Sequence, residues 1–170
     1  MRELETDRLR LRLWREDDIG PLAEFCASPS TARFVGGVCD RADAWRRMAT
    51  FLGHWTLRGY GNWVIEVKTE GAFAGYGGLW NPLGWPEPEI MWGLREQFQG
   101  RGYATEAARA ARDCAYRHLG WTTAVSYIAP DNQPSRRVAA RLGAALEGSI
   151  ELRNSRVGVY RHPGPDTSKH

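Results

Sequence analysis

The sequence has little lysine, little cysteine and no long apolar run, and each shortage excludes a class of protein. Lysine accounts for only Lys68 and Lys169 among the 23 basic residues, so the Gly-Lys-Ser/Thr of a Walker-type phosphate loop is missing. The three cysteines, Cys26, Cys39 and Cys114, are too few and too scattered for a disulfide framework or a metal site. We therefore predict that the cysteines are structural and that the protein holds no metal.

The apolar segments are all shorter than a membrane span or a signal peptide, which predicts a cytoplasmic protein without a membrane partner. A hydrophobic content of 42% and a charged content of 25% are ordinary for a globular chain of 170 residues. We expect one domain over 1–170, with the polar tail 163–170 frayed. The net charge of +3 is dispersed along the chain, which argues against a nucleic-acid partner.

A pair of glycines at the start of an alanine-rich helix marks a candidate phosphate site. Gly100 and Gly102 lie between a short apolar strand, predicted over 88–94, and that helix. Backbone N–H groups at the start of a helix lack intrahelical partners and attract an anion. Glycine permits positive φ and the close approach of a pyrophosphate, while Arg101 adds a positive charge. The junction is therefore predicted to bind phosphate, with a glycine turn that merely starts a helix as the alternative.

The spacing of these residues distinguishes between nucleotide-binding motifs. A dinucleotide fingerprint needs glycine or alanine at position 105, where the chain has Thr105. The pattern Gln/Arg-x-x-Gly-x-Gly/Ala is instead met by Gln97, Gly100 and Gly102. This pattern resembles the acetyl-CoA-binding motif of the GNAT N-acetyltransferases. The residues Gly-x-Gly-Tyr-Ala-Thr-Glu-Ala over 100–107 are similar to the RimJ/RimL-like branch, which acetylates the N-terminal amino groups of ribosomal proteins.

The resemblance implies that acetyl-CoA is the co-substrate and that this loop binds it. The implied cofactor-binding residues of the loop are Gln97, Gln99, Gly100, Arg101, Gly102, Tyr103, Ala104 and Thr105.

Hydrophobic periodicity and capping signals predict the order of the helices and strands. Leucine alternates with arginine over 6–14, which predicts a half-buried first strand whose arginines are solvated, and this opening is also similar to the RimJ/RimL-like branch. Helices are predicted over 17–25, 40–58, 104–117 and 131–142. Further strands are predicted over 63–67, 73–79, 123–128, 145–150 and 156–161, with a loop over 80–88.

A helix separates the strand over 88–94 from the strand over 123–128, so the two should run parallel. The resemblance implies an α/β (α+β) GNAT fold. This fold has a mixed, mostly antiparallel sheet of six to seven strands, about four flanking helices and a splayed parallel strand pair at the centre. It also implies that backbone groups of Trp92, Gly93 and Leu94, left unpaired by the splay, pair with the pantetheine amides and steady an oxyanion.

Two residues at the start of the last predicted helix resemble the second conserved GNAT segment. Its asparagine, here Asn132, contacts the pantetheine arm in the family, and the same residue is expected to cap the helix. Many members have a tyrosine seven residues later as the acid for the departing thiolate, but this chain has Ala139. Ser135 is the remaining hydroxyl on that side of the helix and becomes the candidate acid, with water as the alternative.

Glu89 is the candidate general base. It matches, in the sequence Glu-Ile, the glutamate on the equivalent strand of GNAT members, so the resemblance implies that it takes the amine proton directly or through water. An ordinary solvent-facing carboxylate is the alternative, because Glu87 lies two residues earlier on the same face. The acceptor wall is expected in residues 15–60 and 80–88, whose aromatic side chains otherwise form a core face.

The sequence therefore predicts an acetyl-CoA-dependent N-acetyltransferase that moves the acetyl group directly to a primary amine, such as a protein N-terminal α-amine. Two alternatives stay open: a small-molecule or aminoglycoside N-acetyltransferase, and a non-catalytic acyl-CoA sensor. A monomer or a homodimer is expected.

Overall fold

The computed structural model describes residues 3–165. Two short 3₁₀ turns, Glu16–Asp18 and Glu96–Phe98, accompany the helices and strands. In chain order these elements are β1 (Leu4–Glu5), β2 (Leu9–Arg12), α1 (Ile19–Ala27), α2 (Pro29–Ala32), α3 (Arg41–Arg58), β3 (Asn62–Val67), β4 (Ala72–Trp80), β5 (Glu89–Leu94), α4 (Tyr103–His118), β6 (Val125–Ile128), α5 (Gln133–Arg141), β7 (Ala145–Leu152) and β8 (Ser155–Arg161).

All eight strands belong to one sheet, in the order β1-β2-β3-β4-β5-β6-β8-β7. Neighbouring strands are antiparallel except β5 and β6, which run parallel and are connected through α4. The predicted fold class, with its mixed sheet and its parallel pair near the centre, is confirmed. The sheet has one strand more than the upper predicted number because Leu4–Glu5 forms a separate edge strand on β2.

The central strands of the sheet are buried on both faces, and each face has its own hydrophobic core. Alternate residues of β3 illustrate this, because Trp63 and Ile65 belong to the core under α4 whereas Val64 belongs to the core under α1 and α3. The alanines of α4 allow that helix to lie close to the sheet, as the sequence pattern predicts. The two faces of the sheet are thereby fixed, and the site lies where its central strands stop pairing.

The first strand is shorter than predicted, and one of its arginines is buried. A turn closes before β2, because the Thr6 N–H donates to the Leu9 carbonyl oxygen at 2.9 Å. Arg12 is 6% exposed and donates to both carboxylate oxygens of Asp18 at 2.8 and 2.9 Å and to Glu66 at 2.6 Å. The prediction of solvated arginines is therefore wrong for Arg12, because two carboxylates compensate its burial.

The caps of α3 follow the sequence prediction. The Asp40 side chain accepts from the Asp43 N–H at 2.8 Å, and Gly59 ends the helix with φ 76°. The first helix, α1, ends at Ala27 with Ser28 as its C-cap, and Pro29 then begins the short α2.

The predicted frayed tail, 163–170, lies partly outside the described residues. Within them, the Tyr116 hydroxyl donates to the Pro163 carbonyl oxygen at 2.8 Å. Pro163 is therefore held against α4.

Candidate active site

The two parallel strands pair at a single point. Every residue of β5 is paired with β4, but only Glu89 is paired with β6, where its partner is Val125. Because β5 continues to Leu94 and β6 to Ile128, the remaining parts of the two strands leave backbone groups facing a gap. This is the splay that the predicted fold requires.

A buried polar chain bridges the strands just beyond their last pairing. The Ser126 hydroxyl donates to the Ile90 carbonyl oxygen at 2.5 Å and lies 2.8 Å from Nε2 of His162. Burial, with a smaller effect of Arg112, lowers the pKa of His162 to about 4. The ring is therefore neutral at pH 7, and since Arg112 lies 3.4 Å from Nδ1, Nε2 carries the proton and donates to Ser126. No local pattern in the sequence indicated these residues.

The backbone groups of β5 that face the gap belong to alternate residues. The Arg95 backbone N–H donates to the Ala74 carbonyl oxygen of β4 at 2.8 Å. On the other side, the Pro88 carbonyl oxygen accepts from the Val125 backbone N–H of β6 at 3.0 Å. In an antiparallel ladder, alternate residues direct both groups to the same side, so Trp92 and Leu94 face the gap. Both predicted backbone contacts are thus well placed for an added strand-like ligand.

Gly93 and Gln99 were also predicted to contact the cofactor, but both make contacts within the protein instead. By the same alternation, the backbone of Gly93 faces Tyr76 of β4. A Cβ on Gly93 would come within 3.0 Å of Phe25 and 3.1 Å of Val35, so the glycine lets these side chains pack closely on β5. The Gln99 side chain donates to the Leu94 carbonyl oxygen at 2.9 Å. We therefore interpret Gly93 as a packing residue and Gln99 as a residue that positions the end of β5.

The glycine loop leaves the start of α4 open. Gly100 and Gly102 have φ of 74° and 81°, the left-handed region, and no side chain caps α4. The first helical hydrogen bond is donated by Glu106 to Gly102, so the N–H groups of residues 103–105 have no intrahelical acceptor. A Cβ on Gly100 would meet no atom within 4 Å, which leaves the backbone accessible.

The other residues of the predicted loop divide into surface and core. Gln97 and Arg101 are exposed, while Tyr103 and Ala104 are buried against the sheet. The Thr105 hydroxyl is buried and, among residues 3–165, has no hydrogen-bond partner. An unpartnered hydroxyl in the first turn of an open helix is a suitable donor to an anion.

Arg8 joins this loop to the start of the chain. Its guanidinium donates to the Arg101 carbonyl oxygen at 2.9 Å, forms an ion pair with Glu106 at 2.7 Å and lies 4.7 Å from the centre of the Tyr103 ring. Arg8 therefore fastens the loop to the first turn of α4, and Glu106 balances its charge. From the sequence, Arg8 is assigned only to a strand face, because no local pattern relates it to a loop almost a hundred residues later.

A cavity of about 710 Å³ opens at the splay. Glu89, Trp92, Ser126 and Ser135 are among the residues that line it. Its walls come from three places: the segment 33–37 with α3, the start of the 80–88 loop and the hairpin of β7 and β8. The first two were predicted as the acceptor wall, and the hairpin was missed.

The aromatic residues of α3 are divided between this cavity and the surface. Phe51 is buried and lines the cavity, where its ring contacts Trp80 edge-on at 5.5 Å. Trp45 is 53% exposed and does not line the cavity. One face of α3 thus contributes both to the core and to the wall.

Glu89 is a buried carboxyl group without a cationic partner among residues 3–165. It is 7% exposed, and it accepts from the Trp85 indole N–H at 2.8 Å and from the Tyr127 N–H at 3.5 Å. Burial raises its pKa to about 8, against the opposing effect of these two donors. Such a group is poised to exchange a proton near neutral pH.

The neighbouring carboxylate, Glu87, has a different environment. It accepts from Arg161 at 2.6 and 3.0 Å, and the same guanidinium also binds Glu147. Glu87 is therefore neutralised by an ion pair, and it does not line the cavity. The reading of Glu89 as an ordinary solvent-facing carboxylate is wrong, because its side chain is buried.

Asn132 and Ser135 lie opposite β5 at the start of α5. The Asn132 side chain accepts from the Ser135 N–H at 3.2 Å, so the predicted cap is confirmed. The Ser135 hydroxyl accepts from the Trp92 indole N–H at 3.2 Å, which leaves its own proton free to donate toward the gap. The two candidates therefore lie together with Trp92 across the splay.

The hydrogen-bonding groups at the splay and at the loop suit the chemical groups of acetyl-CoA. The open start of α4 and the Thr105 hydroxyl suit a diphosphate, and the backbone of Trp92 and Leu94 suits an amide-bearing arm. No group of three or more His, Cys, Asp or Glu within 3–165 is placed to hold a metal ion. No helix of the described chain combines the length and apolarity that crossing a membrane requires.

Comparison with known proteins identifies the family. Residues 8–145, more than half of the chain, match the family described as "Acetyltransferase (GNAT) domain". The chain belongs to the GNAT acetyltransferase family. As a GNAT protein it is an N-acetyltransferase, and the family prediction is confirmed.

Relatives of this GNAT protein cover nearly its whole length. An acetyltransferase from Agrobacterium tumefaciens is 35% identical, with a TM-score of 0.87 over 96% of this chain and 95% of that one. The uncharacterized protein YkkB of Bacillus subtilis is 30% identical over 93% of this chain and 94% of its own length.

A more distant structural neighbour is described as acting on a ribosomal protein. This Salmonella typhimurium acetyltransferase, described as modifying the N-terminal serine of ribosomal protein L7/L12, is 21% identical with a TM-score of 0.75. The structural match covers 92% of this chain and 95% of that one. At this identity the likeness shows a shared fold.

Proposed function

We propose that the protein transfers an acetyl group from acetyl-CoA directly to a primary amine bound in the cavity, with Glu89 as the general base. The observation that carries the proposal is the buried, uncompensated carboxyl group of Glu89 at the point where β5 and β6 stop pairing. Bound acetyl-CoA supplies the activated acetyl group. The chain's own residues orient the two substrates, exclude water and remove the proton from the amine.

The residues that hold acetyl-CoA come from three elements. The N–H groups of residues 103–105 and the Thr105 hydroxyl bind the diphosphate, with the exposed Arg101 supplying positive charge. The backbone of Trp92 and Leu94 binds the pantetheine arm, to which Asn132 contributes from α5. An N–H of β5 in this gap also steadies the oxyanion that forms during attack.

The pKa of Glu89 matches the task of deprotonating an amine. An α-amine with a pKa of about 8 is roughly one-tenth neutral at pH 7, whereas a lysine amine near ~10.4 is below about one part in a thousand. Deprotonating the lysine therefore costs about 3 kcal/mol more. Since burial raises the pKa of Glu89 to about 8, proton transfer from an α-amine to Glu89 is nearly balanced. This favours an α-amine, such as a protein N-terminus, as the acceptor.

A panel of acceptors tests this function. Mass spectrometry would detect the amide formed from acetyl-CoA with peptides bearing a free N-terminus, with the same peptides carrying only a lysine amine, with small amines and with aminoglycosides. We expect acetylation at the N-terminal amine. Acetylation confined to aminoglycosides would favour the small-molecule alternative, and heat stabilisation by acetyl-CoA without turnover on any amine would favour the sensor.

Ser135 is expected to protonate the departing thiolate. We predict that Ser135→Ala lowers turnover while leaving the acetyl-CoA affinity within a few-fold, because the interaction strengthens only in the transition state. Steady-state kinetics gives the turnover, and acetyl-CoA titration gives the affinity.

Asn132→Ala is the matched control for α5. The helix is capped by Asn132 and not by the Ser135 side chain, so this variant should lose about 1 kcal/mol of stability. Ser135→Ala should lose less, because it removes only the acceptor of the Trp92 N–H. Unaltered turnover in Ser135→Ala would end the acid role and leave water as the donor.

A further inference from the structure

The tip of the β7–β8 hairpin holds an arginine in an unfavourable backbone conformation. Leu152 is paired with Ser155, so the loop consists of Arg153 and Asn154 alone. Both have positive φ, 49° and 64°, and they are the only non-glycine residues among 3–165 that do. A two-residue loop of this kind prefers glycine, asparagine or aspartate. Asn154 fits that preference, whereas Arg153 adopts the left-handed region at a steric cost.

The hairpin carries this arginine to the acceptor cavity. β8 is antiparallel to β6, with Ile128 paired to Gly158, so the hairpin tip extends past the end of β6. The splay of β5 and β6 opens at this same end. Arg153 lines the cavity together with Leu152, Ser155 and Val157.

Arg153 differs from the other two arginines of the cavity wall in having no partner. Arg33 forms an ion pair with Asp131. Arg47 donates to the carbonyl oxygens of Val35, Gly36 and Gly37. For Arg153, no ion pair or side-chain hydrogen bond is found among the described residues of the chain.

The rest of the wall does not neutralise this charge. Glu89 is the one acidic side chain among the described residues that line the cavity. Its pKa of about 8 leaves it mostly protonated at pH 7. Aromatic residues also line the cavity, Phe34, Phe51, Trp80 and Trp85 among them. An anion entering the cavity therefore meets an unpaired guanidinium beside apolar surface.

We propose that Arg153 binds a carboxylate of the acceptor, so that the preferred acceptors are amines that also carry a carboxylate. This inference rests on the proposed function and narrows its substrate class. A guanidinium presents a fork of donors that matches a carboxylate. Polycationic aminoglycosides would instead meet its charge as a repulsion. The carboxylate could belong to a small amino acid or to an acidic side chain near a peptide N-terminus, and both present the same chemistry.

Two pairs of acceptors distinguish these sources. The first pair is 4-aminobutanoate and its amide, and the second is a Ser-Ala-Glu-Ala peptide amide and its neutral Ser-Ala-Gln-Ala counterpart. We expect the wild-type protein to favour the acidic member of at least one pair by about three- to ten-fold in kcat/KM, as a partly exposed charge pair allows. The pair that shows the preference identifies the source of the carboxylate.

Variants of the hairpin assign the preference to Arg153. Arg153→Asn removes the charge and retains a residue that tolerates the left-handed region, so it should fold at least as stably while its acidic-to-neutral ratio falls to about one. Arg153→Lys should keep part of the preference. Arg156→Gln is the matched control, because it removes the same charge from the same hairpin at an exposed position outside the cavity wall, and it should keep the whole preference.

A binding measurement separates failure of this inference from failure of the proposed function. The N-acetylated forms of the same four compounds need no turnover, and their effect on thermal unfolding is measured for the wild-type protein and Arg153→Asn. Stronger stabilisation by the acidic forms, lost in Arg153→Asn, supports the inference even if no acceptor is acetylated. Equal behaviour of acidic and other forms in the wild-type protein, or an unchanged ratio in Arg153→Asn, would overturn it.

Discussion

Glu89→Gln is expected to lower turnover at pH 7 by about 10²- to 10⁴-fold, because glutamine cannot accept the amine proton. The substitution keeps an oxygen for the Trp85 N–H and a similar volume, so the shape of the cavity should survive. Glu87→Gln is the matched control. That carboxylate is paired with Arg161 outside the cavity, and its loss should leave turnover within a few-fold.

The pH dependence of the rate should report the same group. Glu89 acts as a base only when ionised, and with a pKa of about 8 roughly one-tenth of it is ionised at pH 7. The wild-type kcat/KM should therefore rise with pH and level off above about 8. In Glu89→Gln much of the loss should be recovered at high pH, because the amine then loses its proton to water. A Glu89→Gln profile identical to that of the wild-type protein would assign the base elsewhere.

Stability gives an independent check on this pKa. A carboxyl group with a raised pKa in the folded state binds more protons folded than unfolded between about pH 4.5 and 8. The free energy of unfolding therefore falls as pH rises through this window. Glu89→Gln removes that dependence, so the variant should gain stability relative to the wild-type protein by on the order of 2–4 kcal/mol between pH 5 and pH 9. Thermal unfolding at both pH values measures the difference.

Gly102→Val should abolish the stabilisation by acetyl-CoA against heat. Gly102 has φ 81° immediately before α4, a conformation that a β-branched residue adopts only with strain. A Cβ at this position would also come within 3.3 Å of the Arg8 guanidinium, which lies beside the open start of the helix. For the wild-type protein, acetyl-CoA at 100 times its dissociation constant should add about 2.7 kcal/mol to the unfolding free energy.

Gly59→Val controls for backbone strain in that experiment. Gly59 also has positive φ, 76°, at a helix end, and a Cβ there would meet no atom within 4 Å. Both valine variants should lose stability, but only Gly102→Val should lose the shift caused by acetyl-CoA. An equal shift in the two variants would refute the assignment of the phosphate loop.

The central part of the fold could be predicted because its signals are local. Gly59 and the Asp40 cap define α3, and the glycine pair followed by spaced alanines defines α4. The parallel relation of β5 and β6 followed from the helix between them. These features depend on residues that are close in sequence, so one sequence is sufficient to recognise them.

The features that the sequence did not reveal depend on distant partners. Arg12 lies in a strand where leucine and arginine alternate, so it was predicted to be solvated. In the structure it is buried and forms ion pairs with Asp18 and Glu66. The Ser126–His162 pair that bridges the splayed strands joins residues 36 positions apart. Neither composition nor periodicity predicts such pairings.

The sequence predicted which residues form the candidate site better than it predicted the surroundings of each side chain. Glu89 could be chosen from the strand and the family resemblance, but its pKa depends on Trp85 and on burial, which only the folded chain shows. Gly93 lay within the right strand, but it faces β4 because strand alternation assigns a side to each residue. Arg153 had a local signal, the Arg-Asn pair between two alternating segments, but its place in the cavity required the sheet order.

The most direct test of the account is the structure of the protein with CoA and an acceptor analogue bound. We expect the CoA diphosphate on the N–H groups at the start of α4 and the pantetheine arm beside Trp92 and Leu94. The amine of the analogue should lie about 3 Å from a Glu89 oxygen, or reach it through one water. An amine bound away from Glu89, or a diphosphate bound away from the Gly100–Gly102 loop, would contradict the proposed mechanism.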